Sequence, residues 1–264
     1  MQRRKLYLGL AGGGVAAVVI GLVGWRRSQP PRLGLDRPRL VIVAGDASVD
    51  ATPAKVAQTL ASGAIVHTGH GNACFSVHAS RVCLGGDSEA HLAELGTSSA
   101  TIEVKRGALV VASAGDELRI VLPAGAVVVH GGTLSIEDAG GDAVVRALDG
   151  NADLEPTGRP PSALASPGVM ALRDGRKRPS SAAVEDEERS VAALARRWQG
   201  TAGAVVEVDS LHGRVEVDGA IVGLAPAAVL LDEGDHTLVI REGGRETSHE
   251  ALRLAAGQKV VRGG

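Results

Sequence analysis

Residues 39–154 form a series of short β-prone runs, and this pattern constrains the fold more than any other feature of the chain. Glycine, aspartate, serine and asparagine separate the runs, and apolar residues alternate with polar ones in several of them. The runs are RLVIV, AIVHT, RVCL, TIEVK, ALVVA, LRIVL, AVVVH, TLSIE and AVVRAL. Short runs at such spacing predict an all-β sandwich, barrel or stacked-strand domain.

The N-terminal region differs, because residues 6–25 contain no charge. As a helix, a segment of this length spans about 30 Å, which matches the hydrocarbon core of a bilayer. Tyr7 and Trp25 lie near its ends, where aromatic rings favour the membrane interface. The segment predicts a membrane anchor over residues 1–27. A cleaved signal peptide is the alternative, although RRSQPP follows where a small-residue cleavage site would be expected.

Two arguments about this segment favour opposite orientations in the membrane. More basic residues follow the segment than precede it, which by the positive-inside rule favours a cytoplasmic body. However, a first helix behind a short head usually acts as an export signal, and large domains translocate largely regardless of charge. We therefore expect a single-pass protein of the bacterial inner membrane with a periplasmic body.

The composition of the body restricts its partners. Residues 1–40 hold eight Lys or Arg and one acid, which leaves a net charge of −9 on residues 41–264. Duplex binding needs clustered cations, so we expect no nucleic acid partner. Phe75 and Trp198 are the only aromatic residues beyond the anchor, and glycan surfaces generally need exposed rings. A glycan is therefore disfavoured, and the basic residues 26–39 are expected to lie near anionic headgroups.

Five short segments of the first β-rich part occur in an order that is typical of one known family. They are residues 63–69 (GAIVHTG), 78–80 (HAS), 105–109 (KRGAL), 128–133 (VVHGGT) and 144–154, in which Asp149-Gly150 stands at a family turn. Residues 60–155 thus resemble the FecR domain, after a juxtamembrane segment with the first strands at 28–59. The resemblance implies a relay of an envelope signal to a sigma factor. The five residues before the uncharged segment, Met1 to Lys5, are expected to be too few for an autonomous sigma-factor contact.

A body of this size has room for two modest domains, and its C-terminal part resembles a second family. Residues 156–203 are rich in Pro, Gly and Arg and predict a linker, with a short helix over 184–198. In residues 204–264, VEVDG at 215–219, GLAP at 223–226 and DEGDH at 232–236 resemble the PEGA domain. The expected fold is therefore mainly β: a transmembrane helix, a FecR-like β domain, a partly helical linker and a PEGA-like β-sandwich.

The sequence contains no nucleophile elbow, P-loop, H-E-x-x-H or C-x-x-C motif, so we assign no catalytic or cofactor-binding residue. One cluster could hold a metal, because two imidazoles and two thiolates can complete a tetrahedral set. Its members are His67, His70, Cys74, His78 and Cys83. The FecR resemblance places His78 in a turn, so we expect solvated histidines here rather than a metal site.

The two cysteines are better explained as a pair. If His78-Ala79 is a two-residue turn, Val77 faces Ser80 and Cys74 faces Cys83 at a non-hydrogen-bonded position. There the Cα atoms approach to about 4.5 Å, inside the disulfide range. In an exported domain such a bond would persist. We predict a Cys74–Cys83 disulfide, with two free buried thiols as the alternative.

Three classes of function are consistent with these features of the sequence. The first is a non-enzymatic, membrane-anchored envelope protein that binds, scaffolds or receives a signal from an envelope protein partner. The second is a glycan or cell-wall binding module, which the scarcity of aromatic residues disfavours. The third is a metal-assisted enzyme that uses the histidines and cysteines named above.

Overall fold

The computed structural model describes residues 37–138, 141–176, 203–210 and 212–263. This part of the chain is mainly β, as predicted, and holds no helix. No helix in these ranges is therefore long and apolar enough to cross a bilayer. The predicted anchor and the predicted helix over 184–198 lie outside the described residues.

The strands fall into an earlier and a later set along the chain. The earlier strands are β1 (Arg39–Ala44), β2 (Ala47–Val49), β3 (Thr52–Pro53), β4 (Ile65–Thr68), β5 (Asn72–Val77), β6 (Ser80–Leu84), β7 (Glu89–Leu95), β8 (Ser99–Arg106), β9 (Ala108–Ser113) and β10 (Glu117–Leu122). The later strands are β11 (Gly125–Asp138), β12 (Ala143–Pro156), β13 (Ser162–Ala165), β14 (Gly168–Ala171), β15 (Ala204–Val208), β16 (Arg214–Val217), β17 (Ala220–Leu224), β18 (Ala227–Leu231), β19 (Gly234–Glu242), β20 (Arg245–Leu254) and β21 (Lys259–Arg262).

A 17-stranded sheet divides into two arms at its long central pair, β11 and β12. β10 pairs with the first half of β11 and β9 with the second half, on the edge opposite β12. The first arm runs β10-β8-β7-β4-β2-β3. The second arm runs β9-β6-β5-β1-β18-β15-β21.

The division between the arms coincides with a glycine pair in β11. Gly131 and Gly132 have φ values of 151° and 95°, and the pairing with β12 shifts register here. A Cβ on Gly132 would collide with the carbonyl oxygen of Asp149. The predicted runs AVVVH and TLSIE are therefore one bent strand, and Asp149-Gly150, expected in a turn, lies inside β12 opposite the bend.

Two hydrophobic cores lie on opposite faces of the second arm. The first core fills the space between the arms and includes Phe75 and Val111 with Ile102 and Ile120. The second core lies between the other face of the second arm and a 4-stranded sheet, β17-β16-β19-β20. Because side chains alternate along a strand, β1, β5 and β6 each contribute to both cores.

The structure also differs from the expected linker and from the picture of two bodies joined end to end. Residues 162–171, which the composition assigned to the linker, form β13 and β14 and pair with β12. Edge strands tolerate the Pro and Gly that made this stretch resemble a linker. The described residues all belong to one compact unit, in which β1 pairs with both β5 and β18.

Candidate functional site

The hairpin of β5 and β6 carries the only two cysteines of the chain, and they form a disulfide. His78 and Ala79 make the two-residue turn, with His78 at a φ of 50°. Val77 faces Ser80 and Cys74 faces Cys83, so the predicted register and bond are confirmed. The Cα atoms of the cysteines are 3.9 Å apart.

The disulfide lies on the face of the second arm that builds the second core. Cys74 is 0% and Cys83 5% exposed. Both cysteines belong to a series of register partners that runs across neighbouring strands. Residues that face each other in this way have their side chains on the same face of the sheet. From β21 to β9 the series is Val260, Val206, Val229, Ile42, Cys74, Cys83 and Val110. The hairpin and the C-terminal strands are thus parts of one continuous surface.

Backbone pairing and hydrogen bonds join the earlier strands to the C-terminal ones. Residues 42–44 of β1 pair with residues 227–229 of β18. Beyond that pairing, the Gly45 amide donates to the carbonyl oxygen of Pro226 at 2.8 Å. The Asn72 side-chain amide donates to the carbonyl oxygen of Val222 at 2.7 Å. Gly223 allows this approach, because a Cβ there would collide with the Asn72 side chain.

Arg81 is a charged residue buried at the same junction, with 4% of its surface exposed. Its guanidinium donates to the carbonyl oxygens of Ser80 at 2.7 Å and His78 at 3.3 Å. Burial lowers the pKa of Arg81 to about 10, and the negative charge of Asp232 acts in the opposite direction. The side chain is therefore charged at neutral pH and is attracted to the turn that follows β18.

A second polar cluster joins two of the segments that resemble the PEGA domain. The ring nitrogens of His236 lie 2.9 Å from Asp218 Oδ2 and 3.0 Å from the carbonyl oxygen of Asp232. The Thr237 amide donates to the other oxygen of Asp218 at 2.9 Å. Asp218-Gly219 forms a tight turn, with φ values of 51° and 76°. No pattern in the sequence predicted that this turn meets His236.

The residues of the candidate metal cluster do not form one site. Cys74 and Cys83 are bonded to each other and offer no thiolate. His67 Nε2 accepts a hydrogen bond from Arg106 at 3.1 Å, and His78 lies 3.4 Å from the carbonyl oxygen of Ser99. His70 is exposed in the connection between β4 and β5. Within the ranges that the structure describes, no group of three or more His, Cys, Asp or Glu has a geometry for a metal.

Cross-strand ion pairs cover the outer face of the first arm. Lys105 Nζ lies 2.8 Å from Glu89, and this hydrogen bond lowers the pKa of the Glu89 carboxyl. Arg119 forms an ion pair with Glu155, which raises the pKa of the arginine. The strand between them is β11, in which Val128 faces Arg119 and is 9% exposed. This face is a solvated charged surface.

A groove near the end of β17 has a volume of about 440 Å³. Arg214, Leu224 and Arg241 line it, and Leu224 is 55% exposed. Glu216 holds both arginines by ion pairs at 3.3–3.6 Å. The groove is therefore an open surface of mixed charge beside one exposed apolar side chain.

Comparison with known proteins identifies no family for the chain. No family model matches, including those of the FecR and PEGA domains, and no curated protein matches. Two crystal structures of a putative anti-sigma factor from Parabacteroides distasonis ATCC 8503 are similar in part. One has a TM-score of 0.39 and 11% identity over 55% of this chain and 77% of that chain. The other has a TM-score of 0.34 and 11% identity over 49% and 69% of the two chains.

Proposed function

We propose that this protein is a non-enzymatic, membrane-anchored envelope protein that receives a signal from, or scaffolds, an envelope protein partner. The observation that carries the proposal is the position of β1, which is hydrogen-bonded to β5 on one side and to β18 on the other. β1 begins at Arg39, shortly after the predicted anchor, so the segment nearest the membrane is part of both cores. A change in either core would thereby reach the membrane-proximal strand.

The disulfide supports an exported location for this body. Disulfides persist in the periplasm and outside the cell, whereas cytosolic thiols are kept reduced. The cysteines face each other at a register set by a two-residue turn, and their burial keeps the bond from small reductants. The proposal therefore assigns the body to the periplasmic side of the inner membrane.

A topology experiment tests the location. A reporter that is active only in the periplasm is fused after Gly264, and a cytoplasm-active reporter is fused at the same place as the matched control. We expect activity from the periplasmic reporter alone, with Cys74 and Cys83 protected from alkylation in intact cells. Activity from the cytoplasmic reporter would overturn the proposal.

A cross-linking experiment tests the partner. A photoreactive residue replaces Leu224 of the 4-stranded sheet or Ile65 of the 17-stranded sheet, which are both exposed apolar side chains. We expect one of these positions to cross-link to an envelope protein. A photoreactive residue placed in that protein should then cross-link to the present chain. Failure of the reciprocal cross-link, together with co-sedimentation of the purified body with peptidoglycan, would favour the glycan-binding function instead.

A further inference from the structure

The disulfide belongs to a core that is built largely from strands that come much later in the chain. The second core places Cys74 and Cys83 with apolar side chains of the 4-stranded sheet. Those side chains are Val215, Val217, Val222, Leu238, Leu252 and Leu254. The other face of the same hairpin is filled by Phe75, Val82 and Leu84 of the first core. Both sides of the bond are therefore closed when residues 203–263 are in place.

Thiol–disulfide exchange needs direct access to a sulfur atom. A thiolate attacks one sulfur, a mixed disulfide forms, and the second thiol is released. Oxidation of Cys74 and Cys83 by a disulfide-carrying thiol oxidase transfers two electrons and two protons from the cysteines to the oxidase. The bond between the two cysteines forms as the disulfide of the oxidase breaks into two thiols. Neither sulfur can enter such an intermediate while it is buried as in the structure.

We propose that the Cys74–Cys83 bond exchanges with other thiols only when residues 203–263 have separated from β1 and β5. A thiol oxidase of the envelope must then act on the hairpin before the C-terminal strands dock. After docking, those strands protect the bond from reduction. The C-terminal part is thus a cover that closes over a completed disulfide.

The junction has the properties of a surface that opens as a unit. Besides the apolar contacts of the second core, it contains the three-residue pairing of β1 with β18, the two hydrogen bonds of Gly45 and Asn72, and the attraction between Arg81 and Asp232. By contrast, β11 and β12 pair over almost all of their 14 residues. Local opening follows boundaries with few hydrogen bonds, so separation here is expected before the first core unfolds.

The test measures how fast dithiothreitol reduces the native, oxidised full chain, with the thiols trapped by alkylation and counted by mass. We expect the rate to reach a plateau as dithiothreitol is raised, because opening then limits the reaction. Asn72→Ala removes one hydrogen bond across the junction and should raise the rate about two- to tenfold. Gly223→Ala should raise it further, because its Cβ would collide with Asn72.

Gly150→Ala is the matched control. Its Cβ would collide with the carbonyl oxygen of Gly131, so it destabilises the bend in the β11–β12 pair and leaves the junction unchanged. Denaturant unfolding of each variant corrects the reduction rates for changes in overall stability. Two results would overturn the proposal: wild-type reduction that stays proportional to dithiothreitol at the rate of an unfolded chain, or an equal acceleration by Gly150→Ala. Asn72→Ala gives the same comparison if Gly223→Ala does not fold.

Discussion

At the residue scale, the disulfide contributes to stability mainly by restricting the unfolded chain. The bonded residues are separated by nine positions, and closing so short a loop is worth about 2–3 kcal/mol. We expect the double variant Cys74→Ala, Cys83→Ala to lose about this much free energy of unfolding, measured with denaturant. The control is wild-type protein unfolded with and without reductant. If the variant is less stable than wild type by the same amount under both conditions, the disulfide does not explain the loss.

The ion pair on the outer face gives stability a defined pH dependence. Lys105 lowers the pKa of Glu89, so this carboxylate stabilises the fold above its unfolded pKa, and the contribution is lost as pH falls through the folded value. Lys105 is largely exposed, so Glu89→Gln should cost only about 0.5 kcal/mol at neutral pH and nothing near pH 3.

Denaturant unfolding at the two pH values checks this expectation. Glu94→Gln is the control, because Glu94 is exposed on the same strand. If Glu89→Gln has the same cost at both pH values, the ion pair is not its cause.

Some contacts between residues could be predicted from the sequence, and others could not. Cys74 faces Cys83 because a two-residue turn sets the register of the hairpin and side chains alternate along its strands. Both are local properties of the sequence. The burial of Arg81 near Asp232 depends on strands that are far apart in the chain. No local pattern marks an arginine for burial, since long charged side chains are normally exposed.

At the element scale, the bend in β11 requires glycine for two separable reasons. Gly132 has a positive φ, and a Cβ there would also collide with Asp149. Gly115 has a similar φ of 108° but open space around it. We expect Gly132→Ala to cost at least 1 kcal/mol more than Gly115→Ala, on the order of one strained backbone position. Equal thermal unfolding temperatures for the two variants would show that the collision is relieved without cost.

The strands themselves were predictable, whereas their ends were not. A glycine pair in a sequence is read as a turn, and here it bends one strand and lets two arms share it. Likewise, a Pro- and Gly-rich stretch is read as a linker, and here part of it supplies two edge strands. In both cases the hydrogen bonds that decide the structure come from a distant strand.

At the scale of the whole molecule, residues 37–176 are expected to be incomplete without the C-terminal strands. Removal of residues 177–264 would expose one side of β1 and one face of the hairpin, including Val41, Ile42 and the disulfide. Uncovered apolar faces and free strand edges promote association.

We therefore expect the truncated chain to self-associate and to bind a hydrophobic dye, measured by light scattering and fluorescence. A full-length chain with the same N-terminal end is the control. A truncated chain that stays monomeric and binds no dye would show that the first part has its own closed surface.

The sequence could not predict that β1 pairs with both β5 and β18. Residues 42–44 and 227–229, which pair with each other, are separated by most of the length of the chain. The two resemblances predicted two successive β domains. Each of the two regions contains enough β-prone runs to form a sheet of its own. Only tertiary pairing shows that the earlier and later strands complete one another.

The position of β1 also determines how the body would respond to mechanical load. A pull at Arg39 acts along a strand that is hydrogen-bonded on both edges, so those hydrogen bonds are loaded together in shear. A pull at the other end of the body acts on β21, an edge strand of four residues, whose hydrogen bonds can break one after another. When the body is pulled between its two ends, we therefore expect β21 to detach before β1.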